Sequence, residues 1–169
     1  MKRKDLILAL LVVIVWGANF TVIRLGLDGV SSMLLVALRY ALVAFPAVFF
    51  IKKPNVDWKY ILYYGFSVGV GQFGCLFYAM EIGMPAGLAS IILQLQALIS
   101  PFLGSIFFKE KLRPKQLIGF IIAATGLTII GIASTSNGIS SIPVGAILLT
   151  IGAPIFWSIS NIITRYASN

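Results

Sequence analysis

Long apolar runs alternate with short polar breaks along the whole chain. Six runs stand out, at roughly 6–26, 31–51, 60–80, 86–108, 117–134 and 144–164. A helix that crosses a bilayer needs about 20 apolar residues, so each run predicts one spanning helix. The breaks hold residues that start or end helices: Pro54-Asn55, Pro85, Pro114 and the stretch "STSNGISSIP". The pattern predicts an all-α, polytopic membrane helix bundle.

Composition strengthens this reading. Of 169 residues, 59% are hydrophobic and 11% charged, and the mean hydropathy is +1.00. Soluble domains average about 25% charged residues, so this chain could not cover a water-exposed surface. It has no His and one Cys, Cys75. An intramolecular disulfide and a clustered His/Cys metal site are therefore excluded, and no cofactor is expected.

The net charge of +8 raises nucleic acid as a partner, but its distribution argues for membrane lipid instead. Basic residues cluster in short tracts between apolar runs: Lys2, Arg3 and Lys4, then Lys52, Lys53 and Lys59, then Lys109, Lys111, Arg113 and Lys115. That is the positive-inside pattern, and anionic headgroups satisfy it. It predicts a multi-pass protein of the cytoplasmic membrane with its N-terminus inside. The opposite connections hold Arg24, Asp28 and Glu81, and an outer loop at 135–143 has no charge. The first run is expected to be a retained span. Signal cleavage after Ala18 would set Trp16 at the −3 position, where a small residue is wanted.

Polar residues inside apolar runs are costly in lipid and usually face a bundle interior. In the fourth run Gln94 and Gln96 point about 200° apart on a helix. Ser90, Gln94 and Pro101 form one stripe; Gln96, Ser100 and Gly104 form another. Each Gln suits either interhelical hydrogen bonding or the wall of a cavity. Gln72 would sit deep in the third run, beside Gly65 and Gly69, a GxxxG pair expected to let a neighbouring backbone approach closely. Arg39 lies near the middle of the second run and needs water, carbonyls or an anion. Glu81 and Asp28 are candidate partners. An ion pair and an anchor for a solute carboxylate both fit. Trp16 falls mid-span with Asn19 one turn on, and Trp157 falls mid-span in the sixth run. A mid-bilayer indole beside an amide suits either core packing or a partly hydrated cavity. Pro101 is expected to kink its helix and free a carbonyl.

The first and sixth runs repeat each other. "VIVWGANFTVIR" and "APIFWSISNIITR" set Trp16 and Trp157 141 residues apart, and Arg24 and Arg165 the same. Five spans separate the two starts. Five is odd, so the second copy is inserted upside down, as in the inverted repeats of secondary transporters.

These residues carry a resemblance. "FYAMEIGMPAGLASIILQLQALISPFLGSIFFKEKL", "QLIGFIIAATGLTIIG", the opening "WGANF" and "LRY" at 38–40 resemble the EamA family of the drug/metabolite transporter superfamily. The resemblance implies a ten-helix fold of two inverted five-helix halves around a central cavity, and export of small amino-acid-like solutes. It carries over to Trp16, Asn19, Arg39 and Glu110. Glu110, in "KEKL", is expected to fix the corner between the fourth and fifth helices. Residues 1–134 would form the first five-helix EamA repeat, and 144–169 the first helix of an inverted second repeat. The rest of the cavity is expected from a missing second half or from a homo-oligomer.

Two other functions were weighed against a metabolite exporter. A dimeric small-cation multidrug exporter wants a carboxylate inside the bilayer, yet Asp5, Asp28, Asp57, Glu81 and Glu110 fall near span ends. A non-transporting membrane assembly subunit would leave Gln72, Gln94, Gln96 and Arg39 packed with no cavity. An enzyme is not expected, since no nucleophile–base pair is visible.

Overall fold

A computed structural model of the chain describes residues 3–52, 54–136 and 142–168. Six helices follow one another: α1 (Arg3–Leu27), α2 (Ser32–Phe50), α3 (Trp58–Glu81), α4 (Ala86–Phe108), α5 (Pro114–Ser136) and α6 (Val144–Ser168). No strand occurs among the described residues. Lys2, Lys53 and most of the expected 135–143 loop lie outside them. α1, α2, α3, α4 and α6 are long and apolar enough to cross a membrane, and α5 is a helix of 23 residues. The molecule is a multi-pass membrane helix bundle.

Two helices depart from α geometry near their middles. α3 widens into π turns over Phe66–Gly74. α4 breaks at Gln94–Leu95, between Ala86–Leu93 and Gln96–Phe108. There the N–H groups of Gln94 and Leu95 donate to the carbonyls of Ile91 and Ile92 at 3.0 Å, a three-residue spacing. Pro101 stands inside the second half of the helix, Gln96–Phe108.

α6 sits at the centre. Its buried face is small or weakly polar: Ala146, Thr150, Ala153, Pro154, Ser158 and Ile162. Small side chains let helices approach without a hydrophobic driving force, and α6 packs extensively against α3 and both halves of α4. Ser67 Oγ of α3 donates to the Phe156 carbonyl of α6 at 2.7 Å. The close approach is made by Gly71, not by the Gly65–Gly69 pair. A Cβ at Gly71 would overlap the Phe156 ring and lie 2.8 Å from its Cβ. A Cβ at Gly65 would meet nothing within 4 Å, and one at Gly69 only the Tyr40 ring edge at 4.0 Å. The π turns hold more residues than α turns and so rotate the later glycines toward α6.

Where α1 to α4 cross, Ile23, Val36, Leu76, Phe77, Met80, Met84 and Leu93 are buried together. Beyond this core, Arg24 Nη1 donates to the Met80 carbonyl at 3.4 Å. Glu81 Oε2 accepts the Ser32 N–H at 3.0 Å and so satisfies a free donor at the start of α2. Glu81 is thus engaged with α2 backbone rather than with Arg39. α5 stands apart and touches the other helices only sparsely.

Candidate functional site

A pocket of about 190 Å3 lies at mid-bundle, with walls from five helices. α1 supplies Trp16 and Asn19, α2 supplies Arg39, α3 supplies Gln72 and Phe73, α4 supplies Leu93 and α6 supplies Trp157. The departures from α geometry fall at this level. Gln72 and Phe73 belong to the π turns, and Leu93 ends the first half of α4. Such irregular turns in a membrane helix are tolerated beside cavities and recur at functional sites.

The geometry gives the pocket two aromatic walls and one cation. The Trp16 and Trp157 rings lie 5.4 Å apart, tilted by 42°. Trp16 is 53% exposed, so one wall faces outward from the bundle. Arg39 Nη1 donates to Asn19 Oδ1 at 3.2 Å, and its guanidinium lies 4.7 Å from the centre of the Phe73 ring. Among the described residues Arg39 has no salt bridge; an amide and a ring face hold its charge. Planar N–H donors remain for a carboxylate, which a guanidinium binds through two parallel bonds. Gln72 is only 4% exposed, yet its side-chain amide makes no hydrogen bond among the described residues. It lines the pocket, so its donors and acceptor are open to a bound polar molecule.

Trp16, Asn19, Arg39, Gln72 and Trp157 are therefore brought together, and the other two expected residues are not. The break in α4 turns Gln94 into a wider groove of about 670 Å3 between α1, α4 and α5, which shares Trp16 and Phe20 with the pocket. Gln96 faces α6, where its Nε2 donates to Ser100 Oγ at 3.1 Å. Sequence reasoning missed Phe73 and Leu93, because an apolar residue in an apolar run carries no signal of its position.

At the end of the bundle where α4 and α6 finish, Glu110 pairs with Arg165. Glu110 lies in the connection between α4 and α5, and the pair ties that corner to α6. Lys109 adopts a left-handed conformation with φ 55°. The chain turns back there, and Glu110 Oε2 comes within 3.1 Å of where a Cβ on Gly104 would sit. Arg165 also lies 4.3 Å from the Phe108 ring centre, and that ring stands 4.9 Å from Tyr166.

The hydrogen bond from Arg165 holds the Glu110 carboxyl below the usual carboxylate range, against a smaller opposing effect of desolvation. A depressed acid stabilises the fold above its unfolded value, about 4.3 for Glu. That contribution is lost as pH falls through the lower folded value. The difference in melting temperature between the parent protein and Glu110→Gln should hold from pH 8 to 5 and fade only below about pH 4. A difference gone by pH 6 would contradict the pairing.

Membrane-length helices around a cationic, aromatic-walled pocket define a multi-pass membrane protein with a small pocket at mid-bundle. The chain belongs to the EamA-like transporter family, which matches residues 3–132. It is 46% identical over 165 residues to the "probable amino-acid metabolite efflux pump" of Salmonella typhimurium, over 98% of this chain and 54% of that protein. The protein of the same name in Escherichia coli is 44% identical over the same shares. A "probable terminal-alkyne amino-acid exporter" of Streptantibioticus cattleyicolor is 28% identical over 142 residues, 79% of this chain and 47% of that protein. The chain spans about half the length of the curated relatives it matches. No solved structure matches it.

Proposed function

We propose that the chain forms part of a secondary transporter that exports small amino-acid-like metabolites across the cytoplasmic membrane. The N-terminus and the basic ends of the helices lie inside the cell, by the charge asymmetry of the connections. Residues 1–134 act as the first repeat, and 144–169 open an inverted second one. The Trp16–Trp157 contact supports this, because Arg24 and Arg165 follow the two rings at equal spacing. The remaining walls come from a second half or a second copy. No catalytic step or cofactor is called for.

The observation that carries the reading is the pairing of an Arg39 without a carboxylate and a Gln72 without a partner in one mid-membrane pocket. Arg39 takes the solute carboxylate, Gln72 and Asn19 orient its polar groups, and Trp16 and Trp157 enclose its carbon skeleton. Gln94 extends the site into the neighbouring groove, while Gln96 lies outside the pocket, among the polar contacts between α4 and α6. An assembly subunit would have packed Gln72 against a partner. A small-cation exporter would have set an acid where Arg39 stands. Efflux of labelled amino acids from producing cells tests the function; efflux no faster than from cells lacking the protein would refute it.

Gln72 separates a solute role from a packing role. Gln72→Met keeps the shape and removes an unpaired amide, so thermal stability should be unchanged or slightly higher. Export should nevertheless fall about tenfold, the worth of one neutral hydrogen bond of roughly 1 kcal/mol or a little more. Loss of stability with unchanged export would mean that Gln72 serves packing alone.

A further inference from the structure

Below the pocket, α4 and α6 meet along a seam with a polar cluster next to the pocket and an ion pair at the end of the bundle, and Gly104 and Ile162 buried between them. Ser100 Oγ is its hub. It donates to Ser158 Oγ at 3.1 Å and accepts from Gln96 Nε2 and Asn161 Nδ2, each at 3.1 Å. Ser158 also reaches the Gln96 carbonyl at 3.5 Å. Ser158 directly follows Trp157, which lines the pocket. One turn below Ser100 comes buried Gly104, and then the Glu110–Arg165 pair at the surface. The opposite side of the pocket differs: Leu76, Phe77, Met80 and Met84 close it with apolar side chains.

Membrane interiors do not need such a seam for cohesion. Hydrogen bonds between membrane helices contribute little to cohesion. They also exchange readily for bonds to water or to a polar solute, whereas an apolar seam offers a polar solute nothing. We infer that the α4–α6 seam is the path by which solute reaches the pocket from the basic end of the bundle. The Glu110–Arg165 pair is the latch that closes it. The inference rests on the exporter reading, in which that end faces the cytoplasm.

The latch is weak enough to open. An exposed ion pair is weak, and its loss should raise the open population by roughly two- to fivefold. The packing of Arg165 and Tyr166 around Phe108 adds to it without burying the charge.

The test reads access to the seam and not flux. Ser158→Cys is placed in a Cys75→Ala background, so that it is the single thiol among residues 1–169, with any cysteine elsewhere in the protein replaced as well. Inside-out vesicles are treated with a membrane-impermeant, charged methanethiosulfonate reagent. Ser158→Cys should react, and Glu110→Gln or Arg165→Gln should each speed the reaction by roughly two- to fivefold. Ser160→Cys is equally buried, but its hydroxyl bonds only to its own helix, at the Trp157 carbonyl. It should stay unreactive. No reaction at Ser158→Cys with the latch removed, or equal reaction at both positions, would overturn the inference. Gated labelling without any amino-acid flux would uphold the seam and refute the exporter reading.

Discussion

Arg39→Ala should lower export of a carboxylate-bearing solute by about a hundredfold, and Arg39→Lys should leave an intermediate rate. Truncating one partner of a buried, hydrogen-bonded charge pair costs about 2–5 kcal/mol, and each 1.4 kcal/mol is a factor of ten. Lysine keeps the charge but not the planar fork, so it binds a carboxylate as a point charge only. The fold should tolerate both changes. Arg39 bonds only the Asn19 amide and a ring face, and an arginine at mid-bilayer costs about 2.5–3.5 kcal/mol in its own right. Thermal stability of the Ala variant should therefore equal or exceed that of the parent. Initial efflux rates, normalised to protein in the membrane, are the measurement. An Ala variant exporting within about twofold of the parent would remove Arg39 from the site.

The second large effect is structural. Gly71→Val should destabilise the bundle by at least about 1–3 kcal/mol, the usual cost of overpacking. The new side chain would occupy the space of the Phe156 ring, at the centre of the α3–α6 contact. Gly65→Val, on the same helix, should change stability little, because nothing lies near it. Phe156→Ala combined with Gly71→Val should recover part of the loss, since the ring is the obstacle. Thermal unfolding in detergent of the three variants checks this. Equal stability of Gly71→Val and Gly65→Val would contradict the assigned contact.

Those two glycines also mark where sequence reasoning stops. The helices themselves were legible, because a bilayer dictates the length of each apolar run. Trp16, Asn19, Arg39, Gln72 and Trp157 were legible too, because polar or amphipathic groups at mid-span are costly unless something accommodates them. Helix faces at the site were not. A GxxxG spacing at Gly65–Gly69 assumes α register, whereas π turns over Phe66–Gly74 present Gly71 to α6. The same limit divided Gln94 from Gln96: a break in α4 separates their surroundings, and local spacing does not reveal it. Glu110 was legible as a corner residue, but its partner was not, because Arg165 is 55 residues further along the chain. Local pattern fixes which residues are out of place in lipid; tertiary packing decides which partner each one finds.

The central claim is that the mid-bundle pocket selects its solute through a carboxylate on Arg39. The most direct measurement compares, in the same vesicles, transport of a small amino acid and of its carboxamide, which keeps the ammonium group and side chain but lacks the negative charge. The expected result is transport of the acid at least tenfold faster than of the amide, with the preference abolished in Arg39→Ala. Equal transport of acid and amide by the parent protein, or an undiminished preference in Arg39→Ala, would contradict it.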